Sequence, residues 1–392
     1  MKKKLLMLTL SIILLFFSVN KKSIKAVKID NIPGDAPPLN IKAKAAILME
    51  VTTKQVLLSY NTDQIMPPAS MTKVMTMKLV LDAIRDNKIT MDTIVETSEH
   101  ASSMGGSQIF LAPYEKMKVK DLFKSMVIAS ANDAAVSLAE AVSGSEENFV
   151  KLMNHTALTI GCKNTNFTNA TGLPDSQHHT TCYDMALMAS FLLEEYENEI
   201  IPYTSSYEGY VREDTSNPFW LVNTNKLIKN GVVDGLKTGW TEEAGYCLTA
   251  TMKKDGMRLV SVVMGEQNTK IRNSDTMSIL SNGYSLYELK VLKPKGSVIT
   301  KNIDYLVTPS TYEIVNTLDI TKVTTKGEKE KQYDEKIFID YEKIRIGEDI
   351  IIGRIEMYEN GNLIGSSPLA LRNKVHKTTF IELLKKLIKT IF

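Results

Sequence analysis

Ser70 and Lys73 are the first residues in the chain whose types and spacing can do chemistry. A serine hydroxyl is a weak nucleophile until a base takes its proton, and a lysine amine is a base only when it is neutral. In PPASMTK (67–73) two prolines fix an extended approach, and helical periodicity then runs to about Arg85. Residues three apart share a helix face, so the spacing predicts a nucleophile–base pair. Backbone amides at a helix N-terminus would also stabilise the negative charge that develops there.

The S-x-x-K spacing is weak evidence by itself, because an N-capping serine followed by a solvated lysine has the same spacing. Ser18–Lys21 near the N-terminus matches it as well. Two later motifs change the interpretation. Ser130-Ala131-Asn132 interrupts the helical region 119–142, and Lys237-Thr238-Gly239 lies on a predicted strand. S-x-x-K, S-x-N and K-T-G in this order are the motif set of enzymes that form an acyl-enzyme on serine.

These motifs identify a resemblance that covers nearly the whole chain. The sequence resembles the low-molecular-mass penicillin-binding proteins, which are serine-type D-alanyl-D-alanine carboxypeptidases, of the sporulating Gram-positive type. The phrases that flank the motifs and carry the resemblance are GGSQIFL (105–111), IASANDAA (128–135), NATGLPD (169–175), NTNKLI (223–228) and VDGLKTGWT (233–241).

The resemblance implies roles for the residues of the first two motifs. Ser70 would be the nucleophile that attacks the carbonyl between two D-alanines, and Lys73 would be its general base. Ser130 would relay a proton to the leaving amine. Asn132 would hydrogen-bond an amide of the substrate.

It also implies roles for residues in and after the third motif. Lys237 and Thr238 would bind the terminal carboxylate of the substrate, and Gly239 would let the substrate backbone approach the strand. The backbone N–H of Trp240 would complete an oxyanion hole with that of Ser70. A tryptophan where many relatives have histidine should change the rim of the site and its pH response. Arg272 would either add charge to the carboxylate pocket or lie on the surface.

Neither a metal nor another cofactor is predicted. C-x-x-C and H-E-x-x-H are absent from the sequence, and His178-His179 is interpreted as a solvated loop pair. Three cysteines are too few for a disulfide framework, so buried free thiols are favoured over a Cys162–Cys182 bridge. A net charge of +2 implies no nucleic-acid partner.

The pattern of elements predicts an α+β fold with one antiparallel sheet. An N-terminal hairpin (Ala43–Val51 and Lys54–Tyr60) and three later strands (Gly235–Trp240, Tyr246–Met252 and Arg258–Met264) would bracket a helical middle. Helices are expected at Glu147–Ile160, Tyr183–Tyr196 and Asn273–Leu289. We assign residues 41–292 to this transpeptidase-like domain.

Residues 293–373 predict a separate, small β-sandwich domain. Short β-rich segments, separated by turn residues, lie at Ser297–Thr300, Ile303–Val307, Lys336–Ile339 and Ile351–Tyr358, and Asn360-Gly361 is a strong hairpin turn.

Sequence patterns at both ends of the chain predict a protein that acts at the outer face of the cytoplasmic membrane. Residues 1–26 read as a signal peptide, with an uncleaved anchor as the alternative, and residues 27–40 as a linker. Residues 377–392 place apolar side chains on one helix face and Lys385, Lys386 and Lys389 on the other. This helix is too short to cross a bilayer and is typical of an interfacial anchor, although it could instead dock on the protein's own core.

The expected partners are peptidoglycan stem peptides that end in D-Ala-D-Ala, β-lactam antibiotics and the membrane surface. A transpeptidase would use the same acyl-enzyme and pass it to an amine. A class A β-lactamase would carry an E-x-x-L-N pattern before the K-T-G motif, and none occurs. A non-catalytic cell-wall binding module would be expected to lack Ser70, Lys73 or Lys237.

Overall fold

The computed structural model describes residues 40–329, 331–346 and 351–391. The predicted signal peptide and all but the last residue of the predicted linker lie outside the described residues. The predicted α+β class is confirmed.

The first region of the structure, which ends with the helix Thr269–Leu286, contains nine strands among the described residues. In chain order they are β1 Ala45–Glu50, β2 Val56–Tyr60, β3 Ile94–Glu96, β4 Lys116–Lys118, β5 Glu208–Val211, β6 Phe219–Val222, β7 Gly235–Thr241, β8 Gly245–Lys254 and β9 Met257–Glu266. Its helices are α1 Lys73–Arg85, α2 Glu99–Ser102, α3 Val119–Ile128, α4 Asn132–Ser143, α5 Glu146–Ile160, α6 Cys182–Thr204 and α7 Thr269–Leu286.

A five-stranded antiparallel sheet of order β2-β1-β9-β8-β7 forms the centre of this region. The chain therefore returns after the helical middle to pair β9 with the first strand. At the β8–β9 turn, Asp255 and Gly256 have φ of 50° and 80°, as a two-residue Asp-Gly hairpin requires. Strand β7, which carries the K-T-G motif, lies at the sheet edge, so an extended ligand can pair along it.

The sheet separates two apolar cores. In β1, Ala45, Ile47 and Met49 pack into the core shared with the helical middle, while Ala46 and Leu48 pack into the core that contains α7. Successive strand side chains point to opposite faces, so a strand covered on both sides is apolar throughout. The arrangement is helices, sheet and helix in three layers.

Helix α1 runs through the interior of the helical layer. Residues 73–81 are all buried, and the helix contacts α4 and α6. A surface helix would show one polar face, so this burial pattern identifies α1 as a central helix. Its first residue, Lys73, therefore lies inside the protein.

Two helices differ from the predicted ones at their C-terminal ends. Helix α6 continues beyond Tyr196 to Thr204 across a kink, because Tyr196 has non-helical φ and ψ of −136° and 29°. Helix α7 stops at Leu286, whereas helical periodicity predicted an end at Leu289. Tyr287 instead begins a strand, since residues 287–293 pair with a later strand of the β-rich region.

The β-rich region contains β10 Tyr287–Lys293, β11 Val298–Ile303, β12 Val307–Thr308, β13 Thr311–Asn316, β14 Ile320–Thr325, β15 Asp334–Ile339, α8 Tyr341–Ile346, β16 Gly353–Glu359, β17 Asn362–Leu371, β18 His376–Lys377 and α9 Phe380–Ile391. A five-stranded sheet of order β11-β13-β17-β16-β15 accompanies the pairs β10-β14 and β12-β18. The predicted strand Ile303–Val307 is wrong, because a turn occupies Asp304–Leu306. The Asp304 carboxylate accepts the Leu306 N–H at 2.9 Å, which closes that turn.

Helix α9 shows its apolar side chains to solvent. Phe380, Ile381, Leu384, Leu387 and Ile388 are all exposed. Lys386, which the periodicity places on the other face of the helix, contacts the β-rich region. Its Nζ donates to the Val307 carbonyl at 2.6 Å and to the hydroxyls of Thr308 and Thr378 at 3.0 and 2.9 Å. No helix within the described residues is both long and apolar enough to span a bilayer.

Candidate active site

Ser70 lies on a short 3₁₀ turn, Ala69–Thr72, that leads directly into α1. We call this segment the nucleophile turn. Ala69 has a φ of 48°, a conformation that non-glycine residues adopt rarely and at a cost of about 1–3 kcal/mol. The turn sets the Ser70 hydroxyl beside the first residue of the helix. The Nζ of Lys73 lies 3.1 Å from the Ser70 Oγ.

Lys73 has two further acceptors around its fully buried amine. Its Nζ lies 2.6 Å from Asn132 Oδ1 and 2.7 Å from the carbonyl oxygen of Thr171. A neutral amine has two protons and one lone pair. If the protons point to Asn132 and Thr171, the lone pair faces the Ser70 hydroxyl and can accept its proton.

The surroundings of Lys73 favour that neutral form. Burial lowers the pKa of Lys73 well below its usual value, and the nearby charge of Lys237 lowers it further. The carboxylate of Asp133 acts in the opposite direction and raises this pKa. Because burial and Lys237 outweigh Asp133, the net effect on the pKa of Lys73 favours the neutral amine, which is the form that can act as a base.

Ser130 lies in the break between α3 and α4, and Asn132 joins that break to the Lys73 amine. Ser130 is buried and has a left-handed φ of 65°, which places it among the strained residues that cluster at functional sites. Asn132 is the first residue of α4. Its Nδ2 donates to the Gly105 carbonyl at 2.6 Å, and its backbone N–H donates to the Ser107 carbonyl at 2.7 Å. These bonds leave the amide oxygen of Asn132 for Lys73.

Asp133 was not singled out from the sequence, yet it holds the neighbouring loop in place. Its buried carboxylate accepts the N–H groups of Ile109 at 3.1 Å, Leu111 at 3.0 Å and Ala134 at 2.9 Å. The loop 105–111 is therefore anchored at the N-terminus of α4. This anchoring explains why the carbonyls that bind Asn132 come from the GGSQIFL phrase.

The K-T-G strand supplies a second buried lysine. Lys237 is almost fully buried, and burial together with the charge of Arg272 lowers its pKa to about 7. The Thr238 hydroxyl lies 2.6 Å from that of Thr224, a residue that the sequence had not indicated as part of the site. Arg272 is only 4% exposed, so the alternative of a surface arginine is wrong. Lys237 and Arg272 together make this part of the site positively charged.

A side chain at position 239 would clash with the nucleophile turn, which is a different reason for glycine from the predicted approach of a substrate. A Cβ at this position would lie 2.8 Å from the Pro68 carbonyl oxygen and 3.2 Å from the Ala69 Cβ. The absence of a side chain therefore lets β7 pack against the nucleophile turn. Trp240 follows with 57% of its surface exposed, and its ring lies 5.9 Å from that of Tyr246. The tryptophan thus forms part of the rim.

The loop 168–178 packs against the nucleophile turn from the other side. Asn169 Oδ1 accepts the N–H groups of Thr171 at 3.1 Å and Gly172 at 2.7 Å, which shapes the loop. Gly172 has a φ of 85°, and a Cβ there would lie 1.9 Å from the Ala69 carbonyl oxygen. Only a glycine fits this contact. The phrase NATGLPD was the sequence signal for this loop, but it did not indicate the contact between Thr171 and Lys73.

His178 is not solvated as predicted. It is 4% exposed, and burial lowers its pKa to about 4. Its Nε2 lies 2.8 Å from Thr72 Oγ1, and its Nδ1 lies 3.1 Å from the Thr168 backbone nitrogen. These partners replace the water that a loop histidine would bind.

The cysteines form no disulfide within the described part of the chain. Cys162, Cys182 and Cys247 are buried free thiols, as favoured from the sequence, so the alternative Cys162–Cys182 bridge is not formed. Within residues 40–329, 331–346 and 351–391, no group of three or more His, Cys, Asp or Glu side chains is arranged to hold a metal ion.

Comparison with known proteins identifies similar chains. The family model for D-alanyl-D-alanine carboxypeptidase, peptidase S11, matches residues 32–268. D-alanyl-D-alanine carboxypeptidase DacF of Bacillus subtilis (strain 168) is 44% identical over 347 residues, which are 88% of this chain and 89% of that protein.

Solved structures agree in fold. Penicillin-binding protein 5 from Haemophilus influenzae matches with a TM-score of 0.69 and 29% identity, over 88% of this chain and 100% of that one. Penicillin-binding protein D2 from Listeria monocytogenes, in its ampicillin-bound form, matches with a TM-score of 0.57 and 31% identity, over 63% of this chain and 99% of that one. The family match spans Ser70, Lys73, Ser130 and Lys237, and the Bacillus subtilis relative aligns over a length that must include much of the β-rich region. The chain therefore belongs to the D-alanyl-D-alanine carboxypeptidase family, peptidase family S11.

Proposed function

We propose that the chain is a serine-type D-Ala-D-Ala carboxypeptidase that removes the terminal D-alanine from peptidoglycan stem peptides through a Ser70 acyl-enzyme. The observation that carries this proposal is the buried Lys73 amine, 3.1 Å from the Ser70 hydroxyl and bonded on its other sides to Asn132 and Thr171. Family membership supports the substrate, since the matching relatives are named D-alanyl-D-alanine carboxypeptidases.

Acylation follows from this geometry. Neutral Lys73 takes the Ser70 proton as the oxygen attacks the carbonyl carbon of the penultimate D-alanine. The carbonyl oxygen becomes an oxyanion, which the backbone N–H groups of Ser70 and Trp240 stabilise; one such donor is worth about 3–4 kcal/mol. When the C–N bond breaks, the leaving amine of D-alanine receives a proton through Ser130. Water then attacks the ester, and Ser70 regains its proton.

The positive part of the site binds the substrate carboxylate. Lys237 and Arg272 supply charge, and the Thr238 hydroxyl donates a hydrogen bond to the carboxylate. The hydroxyl of Thr224, 2.6 Å away, orients that of Thr238. The peptide lies along edge strand β7 with the carboxylate at this end. Asn132 contacts an amide on the acyl side.

A β-lactam presents the same kind of carbonyl and carboxylate to these groups. It acylates Ser70, and the ester is released slowly because the lactam leaving group stays attached to the acyl fragment. The ampicillin-bound form of the Listeria monocytogenes relative supports this class of ligand.

The protein acts outside the cytoplasm at the membrane surface. Support comes from the leader-like residues 1–26 and from α9, whose apolar side chains are exposed. Such a helix lies in the interface between lipid headgroups and acyl chains, and flanking lysines attract anionic lipids. Lys386 is used differently, because it joins the helix to the β-rich region.

The test of the enzymatic proposal uses a peptide that ends in D-Ala-D-Ala, with and without a competing amine. Release of D-alanine with little acyl-transfer product is the expected result. Dominant transfer product would make the protein a transpeptidase, and rapid turnover of penicillin without peptide cleavage would make it a β-lactamase. Silence toward both substrates would favour a binding module.

A further inference from the structure

We propose that His178 is a positioning residue for the Ser70–Lys73 pair, a role that rests on the proposed function. The imidazole fastens loop 168–178 to the nucleophile turn. One ring nitrogen lies 2.8 Å from the Thr72 hydroxyl, two residues after the nucleophile, and the other lies 3.1 Å from the Thr168 backbone nitrogen. His178 and Thr72 are both buried.

The partners of the ring determine its tautomer. The Thr168 backbone N–H can only donate, so Nδ1 must carry the lone pair. The Thr168 hydroxyl, 3.1 Å from the same nitrogen, can donate to it as well. The proton therefore lies on Nε2, which donates to Thr72 Oγ1. A neutral imidazole with this tautomer is the form that satisfies both sides.

The loop that His178 fastens carries an acceptor of the catalytic amine. The Thr171 carbonyl lies 2.7 Å from Lys73 Nζ, and Gly172 lies against the Ala69 carbonyl. Thr76 bonds the loop one turn deeper in α1, through its hydroxyl to the Ala170 carbonyl at 2.7 Å. The Thr72–His178 bond adds a fixed point next to the reacting residues. If it is lost, the Thr171 carbonyl can move and the Lys73 lone pair is no longer held toward Ser70.

The role predicts a loss in the chemical step without a loss in ligand binding. Among the described residues, no hydrogen bond joins the His178 ring to Lys237, Thr238 or Arg272, so the noncovalent affinity for a β-lactam should be kept. The rate of acylation from the bound complex should fall about tenfold in His178→Asn, which retains an acceptor near Nδ1 but cannot reach Thr72. His178→Gln places a donor near the Nε2 position and should restore most of that rate.

The experiment measures β-lactam acylation by stopped flow in the wild type, His178→Asn, His178→Gln and Thr72→Val, and in the double variant His178→Asn/Thr72→Val. The double variant should be no slower than either single variant, because both remove the same bond. His179→Gln, the next residue on the loop, is the matched control and should acylate at the wild-type rate.

Three outcomes would overturn the role. His178→Asn that acylates like the wild type while thermal unfolding verifies its fold would show that the bond does not position the pair. Equal losses in His178→Asn and His178→Gln, additive with Thr72→Val, would assign the loss to general packing. A wild-type protein that neither acylates nor releases D-alanine would overturn the proposed function and this role with it. If the wild type acylates and releases D-alanine, a result in the variants tests the role of His178 and leaves the proposed function standing.

Discussion

The carbonyl oxygen of Thr171 lies 2.7 Å from the buried Nζ of Lys73. This contact joins a loop to the first residue of α1 across almost 100 residues of sequence. The contact affects the orientation of the amine, because a neutral amine has two protons that can donate and one lone pair that can accept. With Asn132 as the second acceptor, the remaining direction is that of Ser70. The loop therefore helps to orient the Lys73 lone pair toward Ser70.

Replacement of the nucleophile should remove all covalent chemistry. Ser70→Ala is expected to give no labelling by a fluorescent penicillin and no D-alanine release, while circular dichroism and the melting temperature stay close to those of the wild type. Ser102→Ala removes a hydroxyl that donates to the Glu99 carbonyl at 2.9 Å, and this variant should label normally. Labelling that survives in Ser70→Ala would contradict the proposed mechanism.

The decrease of activity at alkaline pH should follow the deprotonation of Lys237. A lysine is charged below its pKa, so the Lys237 charge that we propose binds the substrate carboxylate is present below about pH 7 and is lost above it. We expect kcat/KM for a D-Ala-D-Ala peptide to fall above pH 7, since this ratio reports groups of the free enzyme. In Lys237→Arg the side chain stays charged, and this decrease should disappear. If kcat/KM of Lys237→Arg falls at the same pH, the decrease belongs to the titration of another group.

A methyl group at Gly239 should separate the K-T-G strand from the nucleophile turn. The added Cβ would lie 2.8 Å from the Pro68 carbonyl oxygen, and backbone cannot move away as easily as a flexible side chain. Gly239→Ala should acylate at least tenfold more slowly and lose about 1–3 kcal/mol of unfolding free energy. Gly256→Ala, in the β8–β9 turn with open space around its Cβ, should lose stability through its φ of 80° and keep its acylation rate. Normal acylation in Gly239→Ala would refute the close packing.

Burial of neutral His178 should make stability depend on pH in mild acid. Its pKa is about 4 in the folded protein against about 6.5 in the unfolded chain, so the unfolded chain binds the proton first as the pH falls. Stability is therefore full above pH 6.5 and decreases toward pH 4, by about 3 kcal/mol at most. Urea unfolding at pH 7 and pH 4.5 should show a smaller decrease for His178→Gln than for the wild type. The same decrease in both proteins would contradict this assignment.

An acidic residue on the exposed face of α9 should weaken membrane binding. Leu384 is exposed, and burial of a leucine in lipid is worth about 1.5–3 kcal/mol. Leu384→Glu should reduce binding to vesicles that contain anionic lipid by about tenfold or more, with unchanged activity on a soluble peptide. Leu158→Glu, the same change at a 70% exposed position on α5, is the control. Equal vesicle binding by both variants would contradict an anchoring role for this face.

The motifs and the family resemblance were readable from the sequence because they are local. Ser70 and Lys73 are three residues apart, and their helix geometry brings them together directly. The Asp255-Gly256 and Asn360-Gly361 turns were predictable for the same reason, since a two-residue turn depends on its own φ angles. The family resemblance that these motifs indicated is confirmed by the match to residues 32–268.

The remaining parts of the site depend on contacts between distant segments. Thr224 meets Thr238, and His178 meets Thr72, only because the fold brings their loops to the nucleophile turn and β7. A buried histidine and a solvated one look alike in sequence when both follow a loop phrase. The end of α7 was misjudged for a related reason. Periodicity in 273–289 suits a helix, but pairing with β14 overrides it after Leu286.

The junction between α7 and β10 has a consequence for which part of the cell wall the enzyme can reach. Leu286 ends the helix and Tyr287 begins the strand, with no residue between them. Under the proposed anchoring through α9, a junction without a linker would limit how far Ser70 can move from the membrane surface. The enzyme would then trim stem peptides within a narrow layer of wall above the membrane and leave more distant ones intact. A flexible insertion after Leu286 would widen that layer without altering hydrolysis of a free peptide.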